Sequence, residues 1–236
     1  MTEKRKQKGK KAMGHVEMII SFVIFVSIIT FLLIMFRPMI VFTKTTSASL
    51  DISESQILEN ISIKLTVQSI NISNEVLDGN CVSLAKPEAI QDKIIMRNST
   101  YNRINVKSDG TSIKFEKSGN FYRIYSSEEF AESNYNPVEC LSQNYDLGVV
   151  KTYYKVSETY LNSLFGNYTA DYQTLKTQLG LKNDFNLILR DNGGELSRAE
   201  IYKPSGIEIM ARDVLIEILD KDGNVKSAIL NIQVWS

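Results

Sequence analysis

Few residues in this chain are of a type that does chemistry. His15 is the sole histidine, and Cys81 and Cys140 are the only cysteines. A Ser-His-Asp or Cys-His relay needs an imidazole beside its hydroxyl or thiol, and the one imidazole stands at the front of the chain, just before an apolar run. Zinc fingers and His-rich metal centres lack their ligands for the same reason. Carboxylates are numerous, but no segment singles out a pair for glycoside hydrolysis, and no glycine-rich loop is present to cradle a phosphate. The residues therefore predict a protein that is not an enzyme, with no catalytic group, no metal and no cofactor.

The remaining chemistry is of other kinds. Cys81 and Cys140 can join as a disulfide if they lie in an oxidising compartment, closing a loop of about 60 residues worth roughly 4 kcal/mol in the chain-entropy model. Two buried free cysteines are the alternative, because spacing alone does not bring two Cα atoms within reach. Asn60, Asn71, Asn98 and Asn167 each begin an Asn-X-Ser/Thr triplet, a glycan acceptor only outside the cytoplasm. Asp220-Lys221-Asp222-Gly223-Asn224 alternates acids before a glycine as calcium loops do, but it lacks the distal bidentate glutamate and reads as a hairpin turn. Asp191 to Glu195 reads the same way.

Charge decides where these groups sit. The chain holds 27 Lys plus Arg and 27 Asp plus Glu, so the total is neutral. The halves differ: Lys4, Arg5, Lys6, Lys8, Lys10 and Lys11 crowd the start against Glu3 alone, while from residue 45 onward 19 basic face 25 acidic residues. An acidic body argues against nucleic acid as a partner, which needs a clustered basic face. Between tail and body, Met18 to Phe36 contains no charge. As a helix it would be about 28 Å long, close to the hydrocarbon thickness of a bilayer. A strand of that length is excluded, and a helix alone satisfies its own backbone in lipid. The basic tail places the N-terminus in the cytoplasm and everything after the span outside. A cleaved secretory signal, cut near Thr46-Ser47-Ala48, is a competing reading, although the apolar core is longer than such signals use.

Gly14-His15-Val16-Glu17, a small residue after a lysine-rich leader followed by an acid and an apolar helix, resembles the class III signal peptide of type IV prepilins, and in particular archaeal pilin-like proteins. The resemblance covers residues 8 to 36. It implies that a prepilin peptidase cuts between Gly14 and His15 on the cytoplasmic side. Glu17 would then be the third residue of the mature chain, rather than the fifth as in bacterial pilins. It further implies self-assembly through the N-terminal helix, with Glu17 paired to the new α-amino group, since a buried carboxylate needs a partner. An uncleaved signal anchor is the alternative, with Glu17 solvated at the headgroup level, where a helix start favours an anion. The stretch Ala211 to Trp235 is also similar to the closing hairpin of archaeal pilin-like proteins.

The elements that position these groups follow from periodicity. Leu50, Ile57 and Ile61 continue the helix as an amphipathic stem, with a bend at Pro38. From Asn60 the period becomes two, and its phase shifts after Gln68 and Ser69, predicting a long strand with a bulge. Lys93 to Met96, Tyr101 to Val106, Ser112 to Phe115 and Phe121 to Tyr125 read as strands, the last two joined by a hairpin turn at Lys117 to Asn120. Residues 127 to 145 read as loop. Leu161, Leu164, Tyr168, Tyr172, Leu175 and Leu179 form one helical stripe, capped by Ser157 and Gly180 and open to a break at Gly166. Phe185 to Trp235 reads as an antiparallel meander of four strands. The predicted class is α+β: a long N-terminal transmembrane and stem helix, then an antiparallel, sandwich-like β-rich head with one or two packed helices. The domains are 1–14 (cytoplasmic leader), 15–42 (transmembrane helix), 43–59 (stem) and 60–236 (extracytoplasmic head). The function expected is that of a pilin-like surface protein, a subunit or minor component of a type IV pilus-like filament. The alternative is a monomeric, signal-anchored extracellular binding domain.

Overall fold

The computed structural model describes residues 4–72, 81–137, 139–142, 144–203 and 205–235, and within the first helix it describes side chains for residues 16–35 and from 48 onward. The fold is α+β. Helix α1 (Lys4–Ile61) continues as helix through Pro38. The chain divides into two units, residues 1–49 and 50–236, and α1 contributes to both.

Among the described residues, the second unit is built on two sheets. A nine-stranded sheet has the order β11-β10-β13-β12-β9-β1-β7-β3-β4, and a four-stranded sheet has the order β5-β6-β2-β8. The strands are β1 (Ser62–Ile72), β2 (Cys81–Ala85), β3 (Ile94–Asn98), β4 (Arg103–Ile104), β5 (Val106–Ser108), β6 (Ser112–Glu116), β7 (Phe121–Ser126), β8 (Leu141–Ser142), β9 (Tyr145–Ser157), β10 (Asp184–Asp191), β11 (Gly194–Ala199), β12 (Met210–Leu219) and β13 (Val225–Trp235). Helices α2 (Glu158–Ala170) and α3 (Tyr172–Gln178) stand between β9 and β10.

Among the described residues, three apolar clusters hold this unit together. The last turns of α1 (Leu50, Ile57, Ile61) join Leu161, Leu164 and Tyr168 of α2 and Leu175 of α3 against the inner residues of β10, β12 and β13. On β13 those are Ala228, Leu230, Ile232 and Val234, the alternation read from the sequence. A second cluster packs Ile70 and Ile72 of β1, Met96 of β3 and Ile124 of β7 against Val82, Leu84, Ile113 and Phe115 of the smaller sheet. This is the sandwich-like part. A third cluster gathers Ile63, Leu65, Ile95, Phe130 and Leu219. Leu50, Ile57 and Ile61, read as the apolar stripe of the amphipathic stem, are therefore the first piece of the head core. Arg212 of β12 adds ion pairs to Asp51 at 2.8 Å and Glu54 at 2.7 Å.

The register corrects several expectations. The irregularity at Gln68 and Ser69 exists in the pairing of β1 with β9, but the extra residue lies on β9, where Gly148 and Val149 face Ser69. A Cβ on Gly148 would sit 2.0 Å from Ser69 Oγ, so any larger residue there requires the Ser69 hydroxyl to turn away. On β1 itself the alternation is unbroken. Ile63 and Leu65 face the third cluster and Ile70 and Ile72 the second, so the apolar phase shifts because the covered face changes. Lys117 to Asn120 is not a hairpin. β6 and β7 belong to different sheets, and the segment is a corner held by Tyr122, whose hydroxyl donates to Gly119 O at 2.6 Å and accepts from Ser118 N at 2.9 Å. The C-terminal strands are not a simple meander either: β10 lies between β11 and β13, so the β11–β12 connection crosses β10 and β13. Lys203 Nζ donates to Gln233 along that crossing.

The helical stripe is divided at Asp171, not at Gly166. Asp171 leaves the helical region (φ −154°, ψ 87°), and its carboxylate accepts from Thr174 N to cap α3. Ser157 caps α2 as read, accepting from Tyr160 N at 2.9 Å. The Asp220–Gly223 segment is a hairpin turn: Asp220 Oδ1 accepts from Asp222 N and Asn224 N, so that carboxylate is committed to the backbone.

Candidate functional site

The strongest candidate is the apolar part of α1. Val16–Met35 is a 20-residue helical stretch of mean hydropathy 2.9, none of it buried. Large side chains are exposed around the whole circumference, among them Met18 at 73%, Phe22 at 67% and Leu33 at 67%. A soluble protein seldom leaves more than a few hundred Å² of contiguous apolar surface bare, so such a helix calls for lipid or another protein around it. Two hydroxyls in its second half are already satisfied: Ser27 Oγ donates to Val23 O and Thr30 Oγ1 to Val26 O, each at 2.8 Å. Neither hydroxyl then needs a partner from an apolar surrounding. This helix is long and apolar enough to cross a membrane. Glu17 is exposed at its start. Gly14 and His15 are helical in backbone; their side chains lie outside the described residues.

Of the remaining site residues read from the sequence, one pair is brought together. Cys81 opens β2 and Cys140 precedes β8, which runs parallel to β2 with Val82 opposite Leu141. Their Cα atoms are 4.6 Å apart and the two residues form a disulfide. The four acceptor asparagines are scattered. Asn60 lies in the last turn of α1 rather than on a strand, because the helix runs to Ile61, and it is exposed. Asn71 on β1 and Asn167 on α2 are exposed as well, while Ser73 of the Asn71 triplet lies outside the described residues. Asn98 is half-buried and engaged: its Oδ1 accepts from Thr100 N, Thr100 Oγ1 and Asn102 N, and its Nδ2 donates to Ser118.

A cleft of about 530 Å³ opens beside the start of α2, lined by Lys93, Glu128, Glu129, Phe130, Thr159 and Lys221 among others. Its chemistry is turned inward. Glu129 is buried, and its carboxylate accepts from Ser157 Oγ, from Thr159 N at 3.1 Å and from Thr159 Oγ1 at 2.8 Å. A carboxylate at a helix start both satisfies free N–H groups and meets the helix dipole. Glu129 thus latches the chain after β7 onto α2. At the other end of the helical layer, burial works to raise the Asp184 carboxyl. Hydrogen bonds from Lys176 Nζ (2.6 Å) and Tyr172 Oη (2.9 Å) prevail and hold it below the ordinary carboxylate range. Burial raises the Tyr168 phenol, whose oxygen lies 2.6 Å from Phe185 O.

Sequence reasoning missed β9 altogether. Tyr145–Ser157 is rich in β-branched and aromatic residues, a composition signal. It shows no period-two pattern because most of its side chains are exposed whichever face they take. Compared with known proteins, the chain matches no family model, no curated protein and no solved structure.

Proposed function

We propose that this chain is a single-span, membrane-anchored surface protein of the pilin-like kind. Its N-terminus is cytoplasmic and its head extracytoplasmic, and it serves as a subunit or minor component of a filament. The observation that supports this most is the 20-residue apolar helix, bare around its circumference, ahead of a disulfide-bonded head. Disulfides persist in oxidising compartments, which favours a head outside the cytoplasm. The basic leader, with Arg37 the first charge after the span, favours the same orientation. In this reading a prepilin peptidase cuts between Gly14 and His15, and residues 15 to 42 are stored in the bilayer and then withdrawn against identical helices. Glu17 sets their register by pairing with the new α-amino group of its own or a neighbouring copy.

The test is the intact mass and N-terminal sequence of protein extracted from membranes of the native host. A chain beginning at His15 supports the reading. Retention of Lys4 to Lys11 overturns processing and leaves an uncleaved, monomeric signal-anchored surface domain.

A further inference from the structure

Directly opposed residues of neighbouring strands point to the same side of a sheet. In the large sheet Arg123 of β7 stands opposite Arg97 of β3, and Arg97 stands opposite Arg103 of β4. Three arginines thus occupy one rung. The rung beside it, Ile124–Met96–Ile104, is buried in the second apolar cluster, so the arginines face outward. With strands about 4.8 Å apart, the row is about 10 Å long. Like charges set directly opposite each other are destabilising, yet this cationic row stands on a head in which acids outnumber bases.

Little of that charge is neutralised within the chain. Arg103 pairs with Asp222 of the β12–β13 turn at 2.8 Å. Arg97 donates to backbone carbonyls instead, Tyr101 O at 3.3 Å and Gly223 O at 3.4 Å. Arg123 lies over two rings, 4.7 Å from the Tyr101 centroid and 5.6 Å from that of Phe121. Among the described residues neither Arg97 nor Arg123 has an ion pair, so three guanidiniums share one carboxylate. On the other side, Asp146 of β9 is separated from Phe121 by Asn71 of β1.

The row is also held in place. Tyr101 is the one non-glycine residue with a positive φ, 63°, among the described residues, a conformation strained for a bulky side chain. Asn98 fixes its turn by accepting from Thr100 N and Asn102 N. The Tyr101 ring is 57% exposed and Phe121 37% exposed, so both offer surface beside the guanidiniums. A planar guanidinium stacked on rings is oriented beforehand and loses little freedom on gripping an oxyanion.

We infer that this rung binds an acidic polysaccharide, with its carboxylate or sulfate groups on Arg97 and Arg123 and its sugar rings against Tyr101 and Phe121. Charge complementarity selects an anion. Three cations on an acidic head fall short of the broad basic face that nucleic acid needs, and the flanking aromatic faces suit a ring-bearing chain better than an acidic peptide. The site lies on the head alone and depends on neither processing nor assembly of the chain.

The test is arginine footprinting of the full chain in neutral detergent micelles: phenylglyoxal modification read by peptide mass, with and without oligogalacturonate or dextran sulfate. Reading each arginine separately keeps binding to the basic leader out of the result. At least one of the two polyanions should protect Arg97, Arg103 and Arg123 while Arg190 of β10 stays reactive, and the one acting at lower concentration identifies the acid group. Methyl-esterified oligogalacturonate and neutral dextran should protect none. Arg97→Gln should raise the concentration for half-protection of Arg123 about tenfold, the effect of one charge-assisted hydrogen bond. Asp222→Asn, which frees Arg103, should lower it several-fold, a gain that no folding defect produces. The site is overturned if neither polyanion protects the row, if Arg190 or the neutral sugars give the same protection, or if Asp222→Asn fails to tighten binding. It is equally overturned if Arg97→Gln has no effect in a chain that keeps the parent melting temperature. Equal protection by polyglutamate or single-stranded DNA of matched charge overturns the assignment to a saccharide.

Discussion

Ile57 is fully buried in the cluster that joins the last turns of α1 to α2, α3 and the sheet. Ile57→Ala removes three carbon atoms, worth about 0.8 kcal/mol each in transfer alone. The cavity left behind adds to this, within the roughly 2–5 kcal/mol range for such truncations. A loss of about 3 kcal/mol is expected. For a unit of this size each kcal/mol moves the melting temperature by about 2–4 °C, so the fall should be about 6–12 °C. Near-ultraviolet circular dichroism of the full chain in detergent micelles reads the head, where the only tryptophan, Trp235, is buried. Ile24→Ala is the control: Ile24 lies in the apolar stretch at 54% exposure and contributes nothing to the head core. An unchanged midpoint for Ile57→Ala, or equal shifts for both variants, would refute the claim that the end of α1 is part of the head.

Three further outcomes follow from the packing and the charges. Gly166 is exposed inside α2 with nothing within 4 Å of a Cβ, so Gly166→Ala should stabilise by about 0.5–1 kcal/mol in thermal melts. Reduction of the Cys81–Cys140 bond, or Cys140→Ser, should lower the melting temperature by the equivalent of roughly 2–5 kcal/mol. The Asp184 carboxyl is held below its ordinary range in the fold, so its stabilising contribution is present above about pH 4 and lost as the pH falls. Melting temperatures at pH 7 and pH 3 should therefore differ less for Asp184→Asn than for the parent chain.

The local features of this fold were legible in the sequence, and its pairings were not. The charge-free run, the Ser157 cap, the Asp220 turn and the alternation on β13 each depend on residues close in sequence, and each is present. The corner at Tyr122 reads as a hairpin because glycine and asparagine there signal a reversal without saying which sheet the next strand joins. The order β11-β10-β13-β12 depends on which edge the returning strand finds, which no period encodes. The disulfide was open between two readings because only the fold brings β8 beside β2. β9 was illegible for the same reason: it carries no alternation, and its place between β12 and β1 is a property of the pairing, not of the segment.

The central claim is that Val16 to Met35 spans a membrane with the leader inside and the head outside. Intact native-host cells treated with a membrane-impermeant amine reagent, followed by peptide mass analysis of the extracted protein, test it directly. The account predicts modification of exposed head lysines such as Lys151 and Lys221 and none of any retained leader lysine from Lys4 to Lys11. Labelled leader lysines with an unlabelled head, or recovery of the full-length chain from the soluble fraction without detergent, would contradict it.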